Sequence, residues 1–200
     1  MSNSDDTLDR LGSADPNVAG LALGELQAQG EAAVPALLRA LTSDNVGARR
    51  MAIEGLGDIA SASSEDGVRA ALADQDGQVR SLAAVALARL GAPDALQALA
   101  DTLDDWPDLA HAEMSRSAYE LPRLGRRALT VAIPLLASPV WTDRAKGAWV
   151  IRQVLGQANA DPDLVELHAI VDRFDADGPA EERNRTASEA AEWLRVSERG

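Results

Sequence analysis

The histidines and their carboxylate neighbours are the first residues to consider for catalysis. The chain has 2 histidines, His111 and His168. Asp172 follows His168 by one helical turn, so the two side chains can meet on one face of a helix. A general base also needs a nucleophile or a substrate pocket beside it, and the sequence indicates neither. We therefore interpret His168 and Asp172 as a local surface contact.

The stretch Gly55-Leu-Gly57-Asp-Ile-Ala60 has the glycine spacing of a dinucleotide-binding loop. Such a loop must join a strand to a helix, because its turn presents backbone N–H groups to a pyrophosphate. Here the stretch lies inside the end of a predicted helix, which argues against nucleotide binding. The chain has no cysteine, which excludes disulfides, thiolate catalysis and cysteine-based metal sites. We expect no cofactor and no metal.

A second motif, around Asp175 and Asp177, has part of the pattern of a calcium loop. An EF-hand loop also needs an acid at its first position and a glutamate at its twelfth. Those positions hold Arg173 and Asn184 here, so the pattern fails. We interpret the segment as a solvated turn between two helices.

Acidic residues dominate the charged side chains. The chain has 32 Asp and Glu against 19 Lys and Arg, a formal net charge of −13. Such a chain repels the phosphate backbone of nucleic acids and the anionic surface of membranes. Its N-terminus is polar and acidic, unlike a signal peptide, and no apolar run reaches the roughly 20 residues of a membrane span. We therefore expect a cytoplasmic protein that binds no nucleic acid and does not insert into membranes.

Lysine is almost absent, since Lys146 is the single lysine among the 19 basic residues. Few lysines, many aspartates and high net acidity are typical of halophilic proteins, whose carboxylate-rich surfaces stay hydrated in concentrated salt. A GC-rich genome, which favours codons for Arg, Ala, Gly and Asp, gives the same composition. Both origins are open from the sequence alone.

A motif of about thirty residues recurs along the first half of the chain. Its copies begin at Val18, Ala48 and Val79, and their small and apolar residues are spaced by three and four, which defines one helical face. Leucines fill one column of the repeat and alanines another: Leu26, Leu56 and Leu87, and Ala22, Ala52 and Ala83. The repeat predicts a row of equivalent helices.

These helices alternate with a second set of predicted helices, at residues 31–41, 66–73 and 95–103. The turns between paired helices are rich in Asp and Asn, which satisfy free N–H groups at a helix start. Several of them also hold a proline, which fits the first helical turn. Helices paired in this way predict an all-α protein without strand pairs.

The pattern continues less regularly after residue 105. Pro122 should end or kink a helix that begins at Ala112, because proline lacks the N–H needed for helical hydrogen bonding. Later helices are predicted at 131–137, 144–155, 162–174 and 180–196. We predict a single domain over residues 1–200, with the clearest repeats at 15–105, an irregular part around 106–130 and capping helices at 161–197.

The clearest copies resemble the HEAT-repeat family, and within it the branch that includes bilin lyases. The resemblance rests on three stretches: Ala33-Val-Pro-Ala-Leu-Leu-Arg-Ala-Leu41, Arg49-Arg50-x-Ala-x-x-x-Leu56-Gly57 and Asp74-x-Asp76-Gly-x-Val79-Arg80. It implies an all-α fold, a right-handed α-solenoid of about six antiparallel helix pairs. In the family, a turn aspartate and an arginine of the second helix often form a ladder between repeats. Asp74 and Arg80 match that pattern, and Asp44 and Arg50 match it with a shift of one residue.

The resemblance implies binding more than catalysis, although a fold does not by itself choose a function. Proteins similar to this branch include bilin lyase subunits and adaptors in signalling complexes, such as archaeal taxis adaptors between response regulator and motility motor. We expect a non-catalytic protein-binding scaffold. The alternative is a bilin-lyase-like or DNA-glycosylase-like enzyme. Trp141, Trp149 and Asp143 resemble groups that surround a flipped base, but the net charge argues against DNA.

One column of the second helices is predicted to face the groove or solvent. It reads Gly24, Glu54, Val85, Tyr119, Trp149 and Glu189. Exposed aromatic residues beside an arginine are typical of protein-binding hot spots. The predicted partner-binding surface comprises Arg50, Glu54, Val85, Tyr119, Trp149 and Arg152. The alternative is that Tyr119 and Trp149 fill packing gaps where Pro122 disturbs the helices.

Overall fold

The computed structural model describes residues 3–105, 114–157 and 162–197. The chain divides into two compact units, Met1–Ser117 (unit 1) and Ala118–Gly200 (unit 2). The described residues form α-helices, 3₁₀ helices and turns, with no β-strand among them. The predicted all-α class, with helix pairs repeated along the chain, is confirmed. The single domain stays a prediction.

The described residues of unit 1 form three regular helix pairs followed by a less regular one. The helices are α1 (Asn3–Leu11), α2 (Pro16–Gln29), α3 (Val34–Ala40), α4 (Val46–Ile59), α5 (Glu65–Ala70), α6 (Gly77–Leu90), α7 (Ala95–Asp101) and the first residues of α8 (Arg116–Glu120). Short 3₁₀ helices at Gly30–Ala33, Ala62–Ser64 and Ala71–Ala73 extend the first helices of the pairs. Within the unit, α4 packs against α2, α3 and α6, so the second helices form a continuous row.

The turns that lead into the second helices are built alike. Asp15, Asn45 and Asp76 each accept a backbone N–H from the helix that follows, which satisfies a donor that lacks a helical partner. In each turn the side chain two residues earlier accepts the N–H of the capping residue: Ser13, Ser43 and Asp74. The repeated Asp, Asn and Ser positions therefore set where each second helix begins.

The predicted columns of the repeat form the core of unit 1. Ala52, Leu56, Ala83 and Leu87 are fully buried, and the corresponding residues of α2 are buried as well. Gly55 brings α4 close to its neighbours, since a Cβ there would lie 2.8 Å from a methyl group of Leu23. The glycines that match a nucleotide-binding spacing thus lie inside a helix, as predicted, and permit close packing.

A buried cluster of hydroxyl groups fixes the irregular end of unit 1. The Ser117 hydroxyl lies 3.1 Å from that of Ser81 and 2.6 Å from that of Thr102. Thr102 also donates to the Ala98 carbonyl at 2.8 Å, and the Ser117 N–H donates to the Ser81 hydroxyl at 3.2 Å. These bonds satisfy polar groups that would otherwise be costly to bury, and they tie the start of α8 to α6 and α7.

Unit 2 contains two further helix pairs. Its helices are α9 (Leu129–Leu135), α10 (Trp141–Gln157), α11 (Val165–Val171) and α12 (Ala180–Ser197), with 3₁₀ helices at Leu121–Ala128 and Pro162–Leu164. Helix α8 ends at Glu120 and the chain continues as a 3₁₀ helix that contains Pro122, in agreement with the prediction that this proline ends or kinks the helix. Gly125, with φ of 59°, interrupts the 3₁₀ helix.

Candidate functional site

Arginines near the start of the second helices join each turn to the next repeat in unit 1. Arg49 on α4 donates to the Ser43 carbonyl at 3.0 Å and to both carboxylate oxygens of Asp74 at 2.8 and 3.0 Å. Arg80 on α6 repeats this arrangement, donating to the Asp74 carbonyl at 2.8 Å and to the Asp105 carboxylate at 2.7 Å. These bidentate, partly buried pairs stabilise the stacking of repeats.

The predicted ladder is therefore present, but its pairing was wrong in two respects. Arg80 reaches Asp74 through the backbone carbonyl, whereas the Asp74 carboxylate belongs to Arg49 of the preceding helix. Asp44 contributes only its carbonyl, to Arg49 at 3.3 Å, and the predicted pair with Arg50 does not form. Because each arginine reaches forward by nearly one repeat, spacing within a single turn could not identify its acidic partner.

Arg50, predicted to bind a partner, lies in a neighbouring ion pair. It donates to the two carboxylate oxygens of Asp76 at 2.9 and 2.5 Å, while Asp76 also caps α6 by accepting the Val79 N–H at 3.0 Å. The Arg50 guanidinium, assisted by this N–H, holds the pKa of the Asp76 carboxyl below its ordinary value and outweighs burial, which raises it. The Arg50 guanidinium thus links α4 to the residue that caps α6.

Val85 is buried, so the prediction that its side chain faces the groove or solvent was wrong. All residues of α6 from Ser81 to Leu87 are buried, which means that this helix is enclosed on every side. The sequence carried the signal, because a helix that is apolar all round is a buried helix and no charged residue lies between Arg80 and Arg89. Glu54, at the equivalent position of α4, is partly exposed.

Tyr119 and Trp149 come together in unit 2. Their ring centroids lie 5.2 Å apart with an interplanar angle of 79°, an edge-to-face contact. Both side chains are partly exposed, whereas Leu121 and Val150 beside them are fully buried. The structure thus joins two of the six predicted binding residues in one patch, which we call the aromatic patch.

Arg152 lies one helical turn after Trp149 on α10 and is exposed. Its guanidinium donates to the carbonyls of Val171 at 3.4 Å and Phe174 at 3.1 Å, where α11 ends. Carbonyls at a helix C-terminus lack helical partners, and an arginine stabilises them through hydrogen bonds and the helix dipole. Arg50, Glu54 and Val85 belong to unit 1, so unit 2 alone holds Tyr119, Trp149 and Arg152.

A cleft of about 1030 Å³ lies along α11 and α12, and the sequence reasoning missed it. Its apolar residues include Ile170 and Trp193, which are buried, and Val196, which is exposed. The Arg126 guanidinium lies 5.8 Å from the centre of the Trp193 ring, within the range of a cation–π contact. The spacing of Trp193 and Val196 on one helical face was the signal in the sequence that could have indicated this cleft. The contribution of Arg126 could not be predicted, because it comes from a segment distant in sequence.

The residues that first indicated catalysis occupy the surface. His168 Nδ1 lies 3.0 Å from an Asp172 carboxylate oxygen, and both side chains are more than half exposed, at 57% and 61%. This agrees with a local surface contact. His111 lies outside the described residues. Asp175 accepts the Asp177 N–H at 2.9 Å and closes the predicted turn, and among the described residues no cluster of His, Asp and Glu is arranged to hold a metal ion.

The residues of the glycosylase alternative lie along the first half of α10. Asp143 accepts a hydrogen bond from the Ser138 hydroxyl at 2.6 Å, which fixes the turn before the helix. Trp141 is 44% exposed, while Trp149 packs against Tyr119 two turns further on. The carboxylate of Asp143 is thus engaged in local structure beside the start of its own helix.

Helix pairs stacked through repeated turns and an arginine–carboxylate ladder define a helical-repeat protein. Residues 44–117 match the family model of HEAT repeats, and this segment contains both ladder arginines of unit 1. Within these residues the chain therefore carries HEAT-like repeats.

Three solved structures are similar to the chain, and one of them, at a TM-score above 0.5, shares its fold. The complex of CpcE and CpcF of phycocyanin lyase from Nostoc sp. PCC7120 is 21% identical, with a TM-score of 0.51 over 93% of this chain and 75% of that chain. Two engineered proteins are 18% and 17% identical, with TM-scores of 0.44 and 0.39, over 98% of this chain and 98% and 100% of theirs. At these identities the likeness to the lyase complex concerns the fold alone.

No curated protein is significantly similar to the chain in sequence. In the part of the chain that the structure describes, no helix combines the length and apolar character that a membrane span requires.

Proposed function

We propose that the chain is a non-catalytic adaptor that binds another protein through the aromatic patch of unit 2. The observation that carries the proposal is that Tyr119 and Trp149, in edge-to-face contact, are partly exposed next to fully buried neighbours. Aromatic side chains give large contact areas and lose little conformational entropy on binding, which is why they are enriched at hot spots. An edge-to-face pair also holds the two rings in a fixed geometry before the partner arrives.

The electrostatic character of the chain supports a protein as the ligand. A formal charge of −13 disfavours polyphosphate ligands and favours surfaces with basic residues. We further propose a cytoplasmic role in a signalling complex, such as archaeal taxis between response regulator and motility motor, in a halophilic host. That finer proposal rests on the acidic, lysine-poor composition and on the resemblance to the lyase-related HEAT branch.

The test is affinity capture from the native host at high salt, followed by binding measurements with the purified partner. Wild type should capture a defined protein, and the double variant Tyr119→Ala, Trp149→Ala should bind it at least about 30-fold more weakly, as expected for loss of a hot spot. Trp141→Ala is the matched control, because it removes an exposed tryptophan from the same helix.

Three results would contradict the proposal. A double variant that loses its helical fold would place both rings in the core. Equal capture by wild type and the double variant would exclude the patch as the binding surface. A bound bilin pigment, or base-excision activity on DNA, would instead support the enzyme alternative.

A further inference from the structure

The cleft along α11 and α12 has the form of a groove between two helical ridges. Glu166, Ala169 and Ile170 line it from α11. Ala169 and Ile170 follow Glu166 by three and four residues, so the three share one face of that helix. Glu192 and Val196 line it from α12, again on one face. Two ridges that run along neighbouring helices leave between them a depression of the width that a third helix can enter.

Ion pairs hold the ridges of this groove together. The Arg173 guanidinium lies 2.7 Å from the Glu189 carboxylate and joins the end of α11 to α12. Arg126 lies 3.5 Å from Asp163, just before α11, and also faces Trp193 on α12. Both pairs are largely exposed, so they connect the ridges of the groove and contribute little stability.

The lining combines an apolar strip with an acidic rim. Ile170, Trp193 and Val196 form the strip, and the Val196 side chain is 60% exposed. The ionisable residues that line the groove are four acids and two bases: Asp163, Glu166, Glu189 and Glu192, and Arg126 and Arg173. Both bases are already engaged with acids of the rim. Arg195 on α12 also pairs with Glu192, so the lining together with this arginine carries a net charge of −1, and its acidity centres on Glu166.

We infer that this groove binds a single amphipathic helix of a partner protein, with apolar residues on one face and basic residues beside them. The apolar strip matches a helix with anchors spaced by three and four residues, and the acidic rim selects lysine and arginine next to those anchors. A second copy of this chain fits less well, because two molecules that each carry a formal charge of −13 repel one another.

This inference rests on the proposed binding function for its class of ligand, but it concerns a surface separate in residues from the aromatic patch. With both the groove and the aromatic patch, the chain is an adaptor with two docking sites. The two proposals can fail independently, since the double variant Tyr119→Ala, Trp149→Ala should leave groove binding unchanged.

A displayed library of helical peptides about 18 residues long, or five turns, tests the inference with the full chain. Its apolar positions are fixed at helical spacing, and its flanking positions vary between Lys, Arg, Glu, Asp, Ser and Ala. Selection on wild type should enrich Lys and Arg at the flanking positions. The purified peptides should bind Val196→Glu at least about ten-fold more weakly, because a carboxylate then lies in the apolar strip.

The matched control is Val165→Glu. Val165 is 66% exposed and lies on α11, but it does not line the groove, so the variant adds the same charge outside the site. Its affinity should stay within about two-fold of wild type. Circular dichroism of both variants checks that the helices are retained.

Several outcomes would overturn the inference. One is enrichment of acidic peptides, or of peptides whose binding ignores Val196→Glu. Equal weakening by Val165→Glu would show a general charge effect instead of a groove. If the wild-type chain is a dimer by light scattering and Val196→Glu is a monomer, the occupant is a second copy and the proposed helix is wrong.

Discussion

Asp76 performs two structural tasks that substitution can separate. Its carboxylate caps α6 through the Val79 N–H and pairs with Arg50 on the preceding repeat. Asparagine at this position keeps the cap, because its side-chain oxygen accepts the same N–H, but loses the charge that Arg50 needs. Alanine removes both interactions. The difference between wild type and Asp76→Asn measures the pair, and the further difference to Asp76→Ala measures the cap.

The expected magnitudes follow from burial. The Arg50 and Asp76 side chains are 27% and 17% exposed, between the surface pairs that contribute about 0–1 kcal/mol and buried hydrogen bonds to charged groups at about 1.5–3 kcal/mol. We expect Asp76→Asn to lower the free energy of unfolding by about 1 kcal/mol after solvent screening. Loss of an N-cap adds about 1 kcal/mol, so Asp76→Ala should lose about 2 kcal/mol in total.

Urea unfolding at neutral pH, followed by far-ultraviolet circular dichroism, measures these differences. Asp44→Asn is the control, because it removes the same charge from an exposed position in the preceding turn and so reports the relief of net repulsion in an acidic chain. If Asp76→Asn is as stable as Asp44→Asn, the Arg50–Asp76 pair contributes no stability. If Asp76→Asn and Asp76→Ala are equally unstable, the cap contributes none.

Three further predictions concern pH and glycine positions. Because the folded-state pKa of Asp76 is lowered, the stability from its ion pair is complete above the unfolded pKa of about 3.9 and is lost as pH falls through the folded value. Urea unfolding from neutral to acidic pH should therefore show the stabilities of wild type and Asp76→Asn converging, and a difference that persists at low pH would contradict this. Ala60 ends α4 at φ of 51°, so Ala60→Gly should raise stability by up to about 1 kcal/mol, whereas Gly91→Ala, at φ of 73°, should lower it by about 1 kcal/mol. Thermal unfolding checks both, and a loss of stability in Ala60→Gly would refute the first. Gly24 is exposed and has open space around it, so Gly24→Ala should stabilise the protein by about 0.5–1 kcal/mol, while Gly55→Ala, with a Cβ 2.8 Å from a leucine methyl, should destabilise it by about 1–3 kcal/mol. Equal effects of the last two substitutions would show that helix contact does not require glycine at position 55.

The sequence predicted the helices well where local signals coincide. For α4, the capping residue Asn45, the column residues Ala52 and Leu56 and the turn that follows all indicate one helix, and the structure has it at Val46–Ile59. At Pro122 the chemistry of a single residue predicted the end of α8. Such features depend on neighbours within a few residues, which is why they can be predicted from the sequence.

The candidate site was predicted only in part, because its geometry depends on contacts between distant segments. The repeat register placed Tyr119 and Trp149 in one column, and the structure brings their rings into contact. Val85 shares that column but is buried, since exposure is set by all the elements that surround a helix. The cleft beside Trp193 was missed for the same reason: its rim includes Arg126, which lies more than sixty residues away in sequence.

Two ion pairs between repeats of unit 1 have both partners within one stretch of the chain. The segment from Val46 to Asp76 holds both donors, Arg49 and Arg50, and both of their acidic acceptors. A tandem duplication of this segment would bring each new Arg49 and Arg50 its own carboxylate, and deletion of the whole segment would remove both partners of each of these two pairs. The Arg69–Asp94 and Arg89–Asp58 pairs cross its ends. A cut within the segment would separate donors from acceptors. When the array is lengthened or shortened by a whole module, by gene duplication or by protein engineering, the Arg49 and Arg50 pairs therefore move as a unit, whereas the two crossing pairs must form again at the new junctions.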